Sequence, residues 1–249
     1  MIDVRRPTRS IVLNARIASR RRRGDEPVFS AAFRLAADVP TGFKTFSKTP
    51  VVRQEALPGG ALQRISFETT PRITIHLLAF VTGEFERNAL VQGGVEIGVA
   101  TIAGKQGAAA GPLDATTRLL RDCDDVDVGG GVRYPLPQLA QTAMPGGFNG
   151  AMANSSAIIV NGTAVLHDSA RRSDSAWQQV FATMAREMAR ERWRARWRTR
   201  GSATLVTKAW WDSLGLNEGI ASWAGNKATD HLNPAGNVWL DAIARANGR

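Results

Sequence analysis

The stretch LVTKAWWDSLGLNEGIASW, Leu205 to Trp223, decides how this chain is read. It leads into a helix expected from about Asn217 to His231, with Glu218 in its first turn. Just upstream, Ser173 followed by Asp174 marks the start of a longer helix expected through about Arg198, since a serine cap and an acid in the first turn are start signals. That helix contains VFATMAREMARER, with Glu187 beside Arg186. Two successive helices therefore each present a carboxylate, and a basic stretch, ERWRARWRTRGSA, lies between them.

A zinc site of the HExxH kind needs two histidines four apart on one helical face and a glutamate beside the first to activate the metal-bound water. A third ligand, often a glutamate on the next helix, completes the set. Glu187 stands where the general base would be, and Glu218, in LNEG, where the third ligand would be. Arg186 and Arg190 stand in the two histidine positions. A guanidinium stays protonated and has no lone pair to give a metal, and two of them at ligand distance repel a dication. The three histidines, His76, His167 and His231, lie outside this helix and are expected to be ordinary, part-exposed side chains.

Around this core, 249 residues with 43% apolar content allow one large or two modest globular domains and exclude wholesale disorder. No apolar run is long enough to span a bilayer. The first residues, MIDVRRPTRSIVLNARIASRRRRGDEP, lack an apolar core of the secretory type, so a cytoplasmic location is expected. A lone Cys123 excludes an internal disulfide framework. The net charge of +10 attracts anions, nucleic acid and acidic lipid included. Much of it comes from two runs, Arg20 to Arg23 and the arginines between 186 and 200.

Ile11 to Leu13 reads as a short strand. From Val28 to Glu86, short apolar or alternating runs such as QRISFETT and ITIHLLAFVTGEF, separated by VPTG and LPGG, read as antiparallel β structure. VEIGVATIAG continues the strands, and Leu113 to Leu120 reads as a short helix. The acidic run DCDDVDVGGG is a loop that lacks the closing glutamate of a calcium-binding loop.

Six blocks, in order, resemble the aminopeptidase N-type family of zinc metallopeptidases (gluzincins, HExxH plus a downstream Glu), and its bacterial members most. GDEPVFSAAFRL from Gly24 and FETTPRITIHLLAFVTGEFER from Phe67 resemble its early strands. YPLPQL at Tyr134 resembles its YPLPKLD, and GAMAN at Gly150 its GAMEN. VFATMAREMAR from Val180 resembles the zinc helix, and LVTKAWWDSLGLNEGIASWAGNKATDHLNP from Leu205 the ligand helix. Together they cover most of residues 24 to 240. The resemblance implies an α+β fold: a partial antiparallel β-sandwich over 1–88, then an incomplete thermolysin-like metallopeptidase catalytic domain over 89–249. It implies hydrolysis of amino-terminal residues from peptides, with zinc as cofactor, Glu187 as catalytic base, Glu218 as metal ligand, and Gly150, Ala151 and Met152 as peptide contacts.

The departures are as specific. Besides the two arginines, Ala153 replaces the GAMEN glutamate that in the family holds the substrate's amino group. Twenty-seven residues separate Arg190 from Glu218, more than in the family, and the only tyrosine, Tyr134, belongs to YPLP rather than to the family's transition-state position. A truncated, degenerate copy, inactive or strongly impaired and without bound zinc, is expected. Arg186, Arg190, Arg194 and Arg198 share a helix face beside Trp193 and Trp197. A non-catalytic peptide- or polyanion-binding protein, nucleic acid included, is therefore the alternative, and a gene remnant without function a third.

Overall fold

The computed structural model describes residues 10–14, 31–73, 77–122, 134, 136–145, 151–153, 156–167, 173–199 and 214–247. Strands β1 (Ser10–Asn14), β2 (Ala36–Pro40), β3 (Lys44–Ser47), β4 (Val51–Ala56), β5 (Leu62–Phe67) and β6 (Ala79–Gly83) come first. Next come β7 (Phe85–Gln92), β8 (Val95–Ile102), helix α1 (Ala110–Asp122) and β9 (Gln138–Met144). The chain continues through β10 (Ala151–Ala153), β11 (Ala157–Asn161) and the short helix α2 (Gly162–Val165). It closes with α3 (Asp174–Thr199), α4 (Leu214–Leu232) and α5 (Val238–Asn247). The expected α+β character holds. No helix among the described residues is long and apolar enough to cross a membrane.

Three sheets form. Two are three-stranded and antiparallel, ordered β1-β6-β3 and β2-β5-β4. The third has five strands in the order β10-β11-β9-β8-β7. In it β8, β9 and β11 run parallel, while β7 and β10 are antiparallel to their neighbours. The chain moves into this larger sheet at Glu84, between β6 and β7. β7 turns into β8 through Gly93 and Gly94, with φ of 57° and 81°. Both central residues of such a two-residue hairpin need positive φ, which glycine adopts without steric cost.

Alternation of side chains explains the layering. Phe80 of β6 joins Val39, Ile65 and Phe67 in one apolar cluster, while Ala79 and Val81, its neighbours in the strand, point into another. That second cluster holds Phe85, Ala100, Met144, Ala157 and Ile159, one face of the five-stranded sheet. The opposite face presents Ile97, Leu139, Ile158 and Val160 to Val180, Phe181, Met184 and Met188 of α3 and to Leu119 of α1. The central strands are thus buried on both sides, as parallel strands require.

β9 was not anticipated as a strand. Its QLAQTAM holds Gln141 and Thr142, both buried. Gln141 is accommodated because its Nε2 donates to Thr116 Oγ1 of α1 at 2.7 Å, a tertiary partner that local pattern cannot reveal. Polar links also join the smaller sheets to the larger one. Ser156 Oγ donates to the Lys48 carbonyl, with Ser156 at φ 63°, and Gln138 Nε2 donates to the Ser47 carbonyl at 3.1 Å.

On β2 and β5, Asp38 and Arg64 are register partners and form a two-pronged ion pair at 2.6 and 2.7 Å. The hydrogen bonds from Arg64, more than its charge, hold the Asp38 carboxyl below its ordinary value of 3.8. A carboxyl lowered in the folded state adds stability above its unfolded pKa, and that increment is lost as the pH falls through the lower folded value. Arg64→Ala is expected to return the Asp38 titration, followed by carboxyl NMR shifts, toward 3.8, and to flatten the acid limb of stability measured by denaturant titration.

Candidate functional site

Helix α3 starts on Ser173, whose Oγ accepts from Ala176 N at 3.2 Å, a cap of the expected kind. Its inward positions are Gln178, Val180, Phe181, Met184, Ala185 and Met188, spaced three and four apart. Glu187 follows the same stripe, one turn on from Met184, and has 0% exposure. Helical period alone carries this carboxylate into the core. Arg186, on the flank, is 38% exposed at its side chain and donates from Nε to Glu187 Oε1 at 3.2 Å. Burying a carboxylate is costly unless it is paired and hydrogen-bonded, and Arg186 supplies a full positive charge beside it.

Helix α4 runs antiparallel to α3 and lies close against it. Its buried face is built of small residues, Ala221, Gly225, Ala228 and Thr229. A Cβ placed on Gly225 would come within 2.7 Å of Arg186 Cα and 2.8 Å of Arg186 N, so glycine is what lets the backbones approach. At the far end Asn233 Nδ2 donates to Gln178 Oε1 at 2.6 Å, and Arg118 Nη2 of α1 donates to the Leu232 carbonyl at 3.1 Å, closing the helix. Glu218 lies two turns before Gly225, on the same side of α4 by helical spacing, and is half-buried. β10, the edge strand of the large sheet, packs against α3. Ala151 leans on the cluster beneath α3, and Met152 on the cluster of the opposite face.

The structure thus joins Arg186 and Glu187 in direct contact, and sets Glu218 on the neighbouring helix and Ala151 and Met152 on the neighbouring strand. Gly150, Cys123 and His76 lie outside the described residues, as do the side chains of Ala153, of Arg190 and of the residues from Arg190 to Thr199, so the arginine and tryptophan face of α3 does too. His231 is exposed at the end of α4, and His167 is half-buried after α2. Among the described residues no group of three or more His, Cys, Asp or Glu converges as a metal site. Two carboxylates, one already paired with a guanidinium, do not fit the three-ligand tetrahedral chemistry of catalytic zinc. Sequence reasoning missed Gly225. A glycine inside a helix costs about 1 kcal/mol relative to alanine, and its presence in ASWAGNKATDH was the available sign of a close crossing.

Gly225→Ala is expected to destabilise the fold by about 1–3 kcal/mol, because backbone rather than a movable side chain must give way. Chemical denaturation of the two proteins measures it, and an unchanged midpoint would contradict the crossing.

Residues 117–248 match the model of the peptidase family M1 domain. Aminopeptidase M1-B of Oryza sativa subsp. japonica is 33% identical over 223 residues, 88% of this chain and 24% of that protein. Aminopeptidase N of Acetobacter pasteurianus is 32% identical over 200 residues, 80% of this chain and 53% of that protein. Aminopeptidase M1 of Arabidopsis thaliana is 30% identical over 220 residues, 88% of this chain and 23% of that protein. The chain therefore spans about a quarter of the plant relatives and about half of the bacterial one.

Proposed function

The chain belongs to peptidase family M1, and we propose that it is a member that binds peptide in the family's cleft without zinc-dependent hydrolysis. Its relatives are named aminopeptidases, and enzymes of this family are generally zinc dependent. The observation that carries the proposal is the 3.2 Å contact between Arg186 and the fully buried Glu187. The residue in the position of the water-activating base is ion-paired with the residue in the position of a ligand. The Oε1 that accepts from the Arg186 guanidinium has part of its hydrogen-bonding capacity committed to a side chain rather than to a water that a metal would hold.

In this reading Glu187 and Glu218 keep the places of base and third ligand, while Arg186 and Arg190 leave the metal without imidazole nitrogens. Ala151 and Met152, on β10, are the peptide contacts of this reading, together with Gly150, which precedes them in the sequence. The thermolysin-like character of the helical part, the sandwich character of the β part and the division into residues 1–88 and 89–249 belong to the same proposal. The division falls within a few residues of the sheet change at Glu84.

Elemental analysis of the purified protein is expected to find zinc well below one atom per chain. Hydrolysis of aminoacyl anilides is expected to be indistinguishable from background, with or without chelator. One tightly held zinc per chain together with chelator-sensitive turnover would overturn the proposal.

A further inference from the structure

The donor set that fails to hold a metal still leaves a cation in place, and the disposition of that cation has a chemical consequence. Arg186 has five N–H donors in a planar fork. One of them, on Nε, is committed to Glu187. Nη1 and Nη2 make no hydrogen bond or ion pair with any described residue, and the side chain is 38% exposed. An ordinary surface arginine loses much side-chain entropy when it binds a ligand. Here part of that ordering is already done, because Nε is anchored on a carboxylate with 0% exposure and the Arg186 backbone is pressed against Gly225 of the neighbouring helix.

We propose that the guanidinium of Arg186 is the resident cation of this cleft and that its outer edge, Nη1 and Nη2, receives the carboxylate of a bound peptide. The proposal rests on the reading that the cleft takes peptide without hydrolysing it. A guanidinium edge and a carboxylate match in two parallel N–H···O bonds, which are shorter and stronger than neutral ones. β10, against which α3 packs, is Ala151, Met152 and Ala153 and offers no acid to hold an ammonium group. The net charge of +10 draws anions toward the molecule. Ligand polarity is thereby set by the acid end of a peptide rather than by its amine.

The test is calorimetric titration of the full chain with acetyl-trialanine and with its carboxamide. The free acid is expected to bind about tenfold or more tightly than the amide, as loss of a charge-assisted pair implies. An amidated acetyl tripeptide with a central glutamate separates a side-chain carboxylate from a terminal one. Stronger binding of that peptide than of acetyl-trialanine would assign the fork to acidic side chains and overturn the terminal assignment. Arg186→Lys keeps a cation beside Glu187 but has no fork. It is expected to erase the difference between acid and amide while keeping the thermal transition, which guards against the case in which Arg186→Gln does not fold. Equal binding of acid and amide, an undiminished preference in Arg186→Lys, or no binding of either peptide would each overturn the proposal. None of these outcomes bears on zinc-dependent turnover, whose appearance in the unmodified protein would instead overturn the functional reading beneath it.

Discussion

Glu187 is a carboxylate with 0% exposure, one turn on from Met184, which packs in the apolar cluster between α3 and the five-stranded sheet. Nothing in that cluster of Ile97, Leu139, Val180, Phe181, Met184 and Met188 can solvate a negative charge. The position therefore requires a cation at close range. A divalent ion would satisfy it from outside the chain. Arg186 satisfies it from within, by bending its side chain back onto the residue that follows it. The arginine is part of the chain itself, and the close passage of α4 at Gly225 sets the backbone from which its side chain reaches.

The sheets place this pair. β8, β9 and β11 are covered on both faces, by helices on one side and by β6 with its neighbours on the other. Their rigidity fixes α3, whose inward stripe is long enough to carry an acid beyond Met184 without losing register. β10 extends the sheet to its edge beside that helix. The helix that carries Arg186 is thus in contact with both an edge strand and α4.

Much of this was legible from sequence. The serine cap and first-turn acid of α3, the strand at Ile11 to Leu13, the helix within Ala110–Asp122 and the strands around VEIGVATIAG follow from patterns local to the chain. The helix expected from Asn217 begins three residues earlier, at Leu214. The unanticipated elements depend on distant partners. β9 buries Gln141 with Thr116 as its partner, and α5, with Leu240 and Ile243 largely exposed, has Val238 as its one fully buried apolar side chain among the described residues. In the site, Glu187 and Glu218 could be picked out by the residues around them, VFATMAREMAR and LNEG, though not by the distance between them. The contact between Arg186 and Glu187 could not, because adjacent helical residues point about 100° apart, and they meet only where packing turns the longer side chain back.

Ser156 adopts a left-handed backbone conformation that a residue with a side chain rarely tolerates, and its hydroxyl holds the carbonyl of Lys48, 108 positions earlier in the chain. Such a seam forms only after both halves of the polypeptide have been synthesised and brought together, so assembly is delayed by a large loop-closure entropy. Once closed, it shares a layer with the cluster of Val81, Phe85 and Ile159. A contact at that sequence separation ties the ordering of the amino-terminal strands to that of the five-stranded sheet.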